Sequence, residues 1–111
     1  MKVCCLDDIV PDTGVCVLVG GEQVAVFRIH RQVHAIGNRD PFSGASVLSR
    51  GIVGDLNGEL VVASPVYKQH FSLLTGRCIE DPSVSVPVYR ARVEGADIQI
   101  FFEREKAQCR T

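Results

Sequence analysis

Five cysteines and three histidines are the side chains best suited to binding a metal ion, and they are scattered along the chain. No two cysteines have the CxxC spacing, and no cysteine has a CxH or CxxH partner; they are Cys4, Cys5, Cys16, Cys78 and Cys109. A protein metal site needs several ligands that converge on one point. We therefore interpret the cysteines as free thiols of a protein in the reducing cytosol.

The histidines and serines also lack a catalytic setting. His30 and His34 flank a predicted turn without a carboxylate or cysteine box beside them, and His70 stands alone in a polar loop. No serine lies in a nucleophile elbow. Gly20-Gly21 lacks the later Gly-Lys-Ser/Thr of a phosphate-binding loop and indicates a hairpin turn. We expect no active site in this chain.

Length, composition and charge limit the classes of protein to which this chain can belong. The 111 residues are 46% hydrophobic, which is enough for one packed domain. Twelve basic and 13 acidic residues give a net charge of −1, so we expect neither nucleic acid nor a membrane surface as a partner. The longest apolar run is Val15 to Val19, far short of the roughly 20 residues of a membrane-spanning helix. Asp7 and Asp8 interrupt any secretory signal, and we expect a cytoplasmic protein.

The elements that would position functional side chains are mostly strands. The chain is rich in valine and isoleucine, and glycine and proline separate its apolar segments. No stretch of ten or more residues has apolar side chains at the spacing of a helix. The turn pairs Gly20-Gly21 and Asn57-Gly58 each predict a tight hairpin. The predicted strands are residues 15–19, 23–29, 32–36, 51–53, 60–63, 86–93 and 97–101.

Two irregular loops separate these strands, at residues 37–49 and 64–76, and both are rich in proline, serine and glycine. We predict one domain over residues 1–102 with a loop subdomain at about 38–76. The last nine residues, 103–111, are polar or charged and are predicted to be a tail outside the core.

Both loops resemble the cluster-binding loops of Rieske domains. Asn38 to Ala45 matches the pattern Asn-x-Cys-Pro-His-x-Gly-Ala, and Ser64-Pro65-Val66-Tyr67 matches Cys-Pro-Trp-His. The resemblance implies an all-β Rieske-like ferredoxin fold, an antiparallel sandwich or barrel. The four ligand positions, however, carry Asp40, Phe42, Ser64 and Tyr67. A Rieske cluster needs two thiolates and two imidazoles, so we predict no cluster and no metal in this chain.

Within that superfamily, the chain resembles the small subunit of assimilatory NAD(P)H nitrite reductase over nearly its whole length. The stretches that carry this resemblance are residues 12–16, 40–42, 47–51, 58–60, 62–65, 71–73 and 76–81. It implies a non-catalytic subunit of an oxidoreductase complex. The partner would be a large subunit that holds FAD, sirohaem and an iron-sulfur cluster and reduces nitrite to ammonium in nitrate assimilation.

The substituted loops have two possible roles, which the sequence does not separate. Phe42 and its neighbours could pack where a cluster would otherwise lie, or the loop tips could dock onto the partner. The candidate docking residues are Asp40, Pro41, Phe42, Pro65, Val66 and Tyr67. Arg50, Lys68 and Arg77 could add positive charge to that face or be merely solvated.

Two other functions are compatible with this fold. The chain could be a Rieske-type electron carrier of an oxygenase, which the substituted ligands oppose, or a free-standing interaction module.

Overall fold

Nine strands and two short 3-10 helices make up the part of the chain that the structure, a computed structural model, describes, which is residues 2–101. The strands are β1 (Lys2–Cys5), β2 (Thr13–Val19), β3 (Glu22–Ile29), β4 (Gln32–Gly37), β5 (Ile52–Leu56), β6 (Glu59–Ala63), β7 (His70–Ser72), β8 (Val88–Glu94) and β9 (Asp97–Phe101). The 3-10 helices are Leu6–Asp8 and Leu48–Arg50. No helix within residues 2–101 has the length and apolarity needed to cross a bilayer. The expected all-β fold is confirmed.

The larger sheet has six strands in the order β1-β9-β8-β4-β3-β2, with every pair antiparallel. Its first predicted hairpin is confirmed, because Val19 pairs with Glu22 across Gly20-Gly21. One apolar core receives side chains from all six strands, including the two edge strands β1 and β2. The sheet therefore curls around that core toward a barrel.

The smaller sheet has three strands in the order β5-β6-β7. Leu56 pairs with Glu59 across Asn57-Gly58, and the Asp55 carboxylate accepts a hydrogen bond of 2.7 Å from the Gly58 amide. This confirms the second predicted hairpin.

A second core lies between the two sheets. Strand β3 is buried on both faces, with Val24 and Val26 in the first core and Ala25 and Phe27 in the second. Burying a side chain such as Phe27 completely contributes about 1.5 to 3 kcal/mol. The second core also contains Phe71 of β7, and Phe42 from the first loop packs against this core.

The structure adds two strands that the sequence analysis did not predict. Strand β1 pairs with β9 at the other end of the chain, and β7 lies inside the predicted loop at 64–76. The predicted strand at 86–93 starts two residues too early, since β8 begins at Val88, after Pro87, which has no amide hydrogen to donate to a neighbouring strand. The predicted tail at 103–111 lies outside the described residues.

Candidate functional site

A tight turn of residues 40–45 follows β4 at the start of the first predicted loop. The Asp40 amide donates to the Ala45 carbonyl oxygen over 2.8 Å, and the Gly44 amide donates to the Asp40 carbonyl oxygen over 2.7 Å. The Phe42 amide donates to Asp40 Oδ1 over 2.8 Å. An aspartate that accepts from the amide two residues ahead forms an Asx turn, so Asp40 holds this turn with both backbone and side chain.

A second turn, of residues 64–69, joins β6 to β7 and repeats the same hydrogen bonds position by position. The Ser64 amide donates to the Gln69 carbonyl oxygen over 2.9 Å, and the Lys68 amide donates to the Ser64 carbonyl oxygen over 3.0 Å. The Val66 amide donates to Ser64 Oγ over 3.3 Å. We call residues 40–45 and 64–69 the twin turns.

The matched residue types explain the matched geometry. A proline follows the first residue of each turn, Pro41 and Pro65, and fixes φ near the value that a turn requires. The fifth residue of each turn has a left-handed backbone, with φ of 79° at Gly44 and 68° at Lys68. Glycine adopts this conformation freely, whereas lysine does so at a cost.

The twin turns are joined by their first side chains. Ser64 Oγ donates a hydrogen bond of 2.5 Å to Asp40 Oδ2, at the short end of the range for O–H···O bonds. Asp40 is 0% exposed and Ser64 is 1% exposed. Water therefore does not compete for this contact, and each group satisfies the other's hydrogen bonding in the interior.

Phe42 packs inward from the first turn. Its partly buried ring lies 6.2 Å from the fully buried ring of Phe71, measured between centroids, with 45° between the planes. This tilted arrangement is favourable for aromatic pairs. Phe42 thereby connects the turn to the core between the sheets.

The tips of the twin turns carry an exposed, largely apolar surface. Val66 is 42% exposed and Tyr67 is 58% exposed, and Pro41 and Pro65 are exposed beside them. Lys68, the next residue, is also exposed. We call Pro41, Pro65, Val66 and Tyr67 the tip surface. Of the six candidate docking residues, these four face solvent, whereas Asp40 is buried and Phe42 is partly buried.

Asn38 holds the base of the first loop, a role that the sequence analysis did not assign. Its side chain is buried, and its Oδ1 accepts a 2.7 Å hydrogen bond from the Ser49 amide. Its Nδ2 donates to Gln23 Oε1 and to the Ser46 carbonyl oxygen, each over 3.1 Å. Two sequence signals pointed to this anchor: a polar residue directly after a buried strand, and its place as the asparagine that opens the Rieske-like loop pattern.

Glu80 secures the chain after the second turn. It accepts hydrogen bonds from the His70 amide at 2.8 Å and pairs with the His70 ring at 2.6 Å. Slight burial favours a higher pKa for Glu80, but the hydrogen bonds from the His70 amide and ring outweigh it and lower the pKa. His70 is therefore a structural partner of Glu80.

Known proteins similar to this chain identify the family to which it belongs. The model of the Rieske-like [2Fe-2S] domain family matches residues 1–101. The nitrite reductase (NADH) small subunit of Salmonella typhimurium is 55% identical over 101 residues, which cover 89% of this chain and 94% of that protein. The chain belongs to the family of Rieske-like nitrite reductase small subunits. The family that the loop sequences predicted is confirmed.

Two further relatives of this Rieske-like chain are informative. The solution structure of the nitrite reductase NAD(P)H small subunit from Erwinia carotovora superimposes with a TM-score of 0.80 at 53% identity, covering 92% of this chain and 80% of that one. A segment of the nitrite reductase NAD(P)H large subunit of Klebsiella oxytoca is 39% identical over 98 residues, covering 88% of this chain and 10% of that protein. The same domain thus also occurs inside a much longer reductase chain.

The donor set of this Rieske-like chain does not fit an iron-sulfur cluster. Phe42 offers no donor atom, and the oxygens of Asp40 and Ser64 bind each other, whereas such clusters select thiolates. Tyr67 is exposed at the tip of the second turn. Residues 2–101 contain no group of three or more histidine, cysteine, aspartate and glutamate side chains placed to share a metal ion.

Proposed function

We propose that this chain is the accessory small subunit of a cytoplasmic NAD(P)H-dependent nitrite reductase and that it binds the large subunit through the tip surface. The observation that carries the proposal is the 55% identity, over nearly the whole chain, to a nitrite reductase (NADH) small subunit. FAD, sirohaem and the iron-sulfur cluster belong to the large subunit in this proposal, and nitrite is reduced there to ammonium.

The donor chemistry supports an accessory role over electron transfer through this chain. An electron carrier of the Rieske type needs sulfur and imidazole ligands at the two loops. In this chain two of the four positions are committed to a mutual hydrogen bond and a third is a phenylalanine packed on Phe71. Its contribution is therefore a folded surface and not a redox centre.

The comparisons favour the large subunit as the partner that binds the tip surface. In the Klebsiella oxytoca relative this domain is part of the large-subunit polypeptide. A domain that is covalently linked to its partner meets it at a high effective concentration, and a separate chain must replace that linkage with a binding surface. We therefore expect an interface strong enough for stable association.

The tip surface has the composition of such an interface. Exposed aromatic side chains dominate the energy of many interfaces, and Tyr67 is 58% exposed beside two prolines and Val66. The backbone hydrogen bonds of the twin turns fix the backbone that carries these side chains before binding. Binding then costs little backbone conformational entropy.

Co-expression with the large subunit tests the proposal. We expect co-purification, and we expect Tyr67→Ala to weaken the affinity roughly thirtyfold, which corresponds to about 2 kcal/mol for an interface hot spot. Val66→Ala should weaken it less, and its matched control is Val10→Ala, which shortens a valine that is 68% exposed outside the twin turns. NADH- or NADPH-dependent nitrite reduction is measured in parallel.

The outcomes separate the parts of the proposal. Failure of the chains to co-purify, with unchanged nitrite reduction when this chain is omitted, would contradict the subunit role. Stable association that Tyr67→Ala and Val66→Ala leave unaltered would place the interface elsewhere on the domain.

A further inference from the structure

The positions that carry the cysteine ligands in the Rieske pattern are Asp40 and Ser64, the first residues of the twin turns. In a cluster-binding domain, iron and sulfide would bridge the two loops at these positions. Here the two side chains contact each other directly, at 2.5 Å. A direct hydrogen bond thus lies where a cluster-binding domain would have a metal bridge.

We infer that Asp40 and Ser64 are positioning residues, which fix the twin turns relative to each other so that the tip surface presents one defined shape. This inference rests on the proposed function, because it assigns the pair a role in binding the large subunit. Neither side chain can touch the partner itself, since both are buried.

The hydrogen bonds form a continuous path between the two tips. The Phe42 amide donates to Asp40 Oδ1, Ser64 Oγ donates to Asp40 Oδ2, and the Val66 amide donates to Ser64 Oγ. Each first side chain therefore binds the tip backbone of its own turn and the first side chain of the other turn. Bonds in such a buried network reinforce one another.

The path also explains why rotation of one turn alone is costly. Moving the second turn would leave a buried carboxyl oxygen without its donor, and a buried unsatisfied acceptor is more costly than the hydrogen bond itself is worth. Phe42 opposes motion of the first turn through its contact with Phe71. The two tips are therefore expected to move as one body.

Ser64→Ala tests the inference in the full chain. We expect amide hydrogen exchange at Val66 and Phe42 to accelerate about tenfold, as expected for loss of a buried hydrogen bond, and the affinity for the large subunit to fall about tenfold. Ser64→Thr keeps the hydroxyl and should restore both quantities.

Ser72→Ala is the matched control. Ser72 is also buried, and its Oγ accepts hydrogen bonds from the Leu74 and Thr75 amides, at 3.1 and 3.2 Å, in a neighbouring turn. Its loss should lower the melting temperature without altering exchange at Val66 or affinity for the large subunit. An affinity loss of equal size in Ser72→Ala would reduce the Ser64 effect to general destabilisation and overturn the inference.

A double-mutant cycle isolates the contact itself. Asp40→Ala combined with Ser64→Ala should weaken binding by less than the sum of the two single losses, because both changes remove the hydrogen bond between the two side chains, although each also removes its own bond to a tip amide. Additive losses would overturn the inference. Unchanged affinity in Ser64→Ala also overturns it, whereas Tyr67→Ala tests the docking surface independently, so the two failures are distinguishable.

Discussion

Replacement of Phe42 by alanine should destabilise the fold before it affects any partner. The ring packs on the buried Phe71 ring and belongs with the core between the sheets. Removing a fully buried phenylalanine ring costs about 3 to 5 kcal/mol, and Phe42 is only partly buried, so we expect about 2 kcal/mol. For a domain of this size, that loss lowers the melting temperature by roughly 8 to 16 °C.

Reversible urea unfolding, monitored by circular dichroism, measures this loss as a lower midpoint urea concentration with an unchanged m-value. Phe42→Leu is the control, because leucine keeps most of the apolar volume and should cost less than about 1.5 kcal/mol. Tyr67→Ala provides the contrast, since removal of an exposed ring should alter stability by no more than about 0.5 kcal/mol. An unchanged midpoint for Phe42→Ala, together with lost affinity for the large subunit, would refute the packing role and place the ring in the interface.

Two further predictions concern backbone strain and pH. Lys68→Gly should stabilise the protein by about 0.5 kcal/mol in thermal unfolding, because a left-handed lysine is strained. The reciprocal change, Gly44→Ala, should destabilise it; a Cβ there meets only Arg39 Nη2, at 3.5 Å, so crowding is excluded as the cause. Burial lowers the pKa of His34, so the folded protein binds its proton less readily than the unfolded chain does. The free energy of unfolding should therefore fall as pH drops below about 6.5. His34→Gln should remove the share of this decrease that His34 causes, as measured by urea unfolding at a series of pH values between about 7.5 and 5.5.

Local signals in the sequence predicted much of the fold. Both hairpins with two-residue turns were confirmed, because Gly20-Gly21 and Asn57-Gly58 act within a few residues of the strands they join. Strand β1 was not predicted, since it is short and its only partner is β9, at the far end of the described chain. Strand β7 was missed because three residues show too little alternation to distinguish a strand from a loop.

The site was only partly predictable for a similar reason. The repeated proline after Asp40 and after Ser64 is visible in the sequence, and each turn forms from neighbouring residues. The hydrogen bond between the two side chains joins positions 24 residues apart and depends on how β6 packs beside the first turn. The resemblance to the Rieske loops therefore pointed to both residues, but it placed Asp40 among the candidate docking residues, whereas the structure buries its side chain.

The bond between Asp40 and Ser64 also bears on the order in which a complex could be assembled. A loop pair closed by two side chains is finished when the polypeptide has folded, whereas a pair closed by a cluster waits for delivery of iron and sulfide. A small subunit of this kind would reach its binding-competent shape even in an iron-starved cell. In the proposed complex, iron supply would then limit only the large subunit, and the small one would be present to receive it.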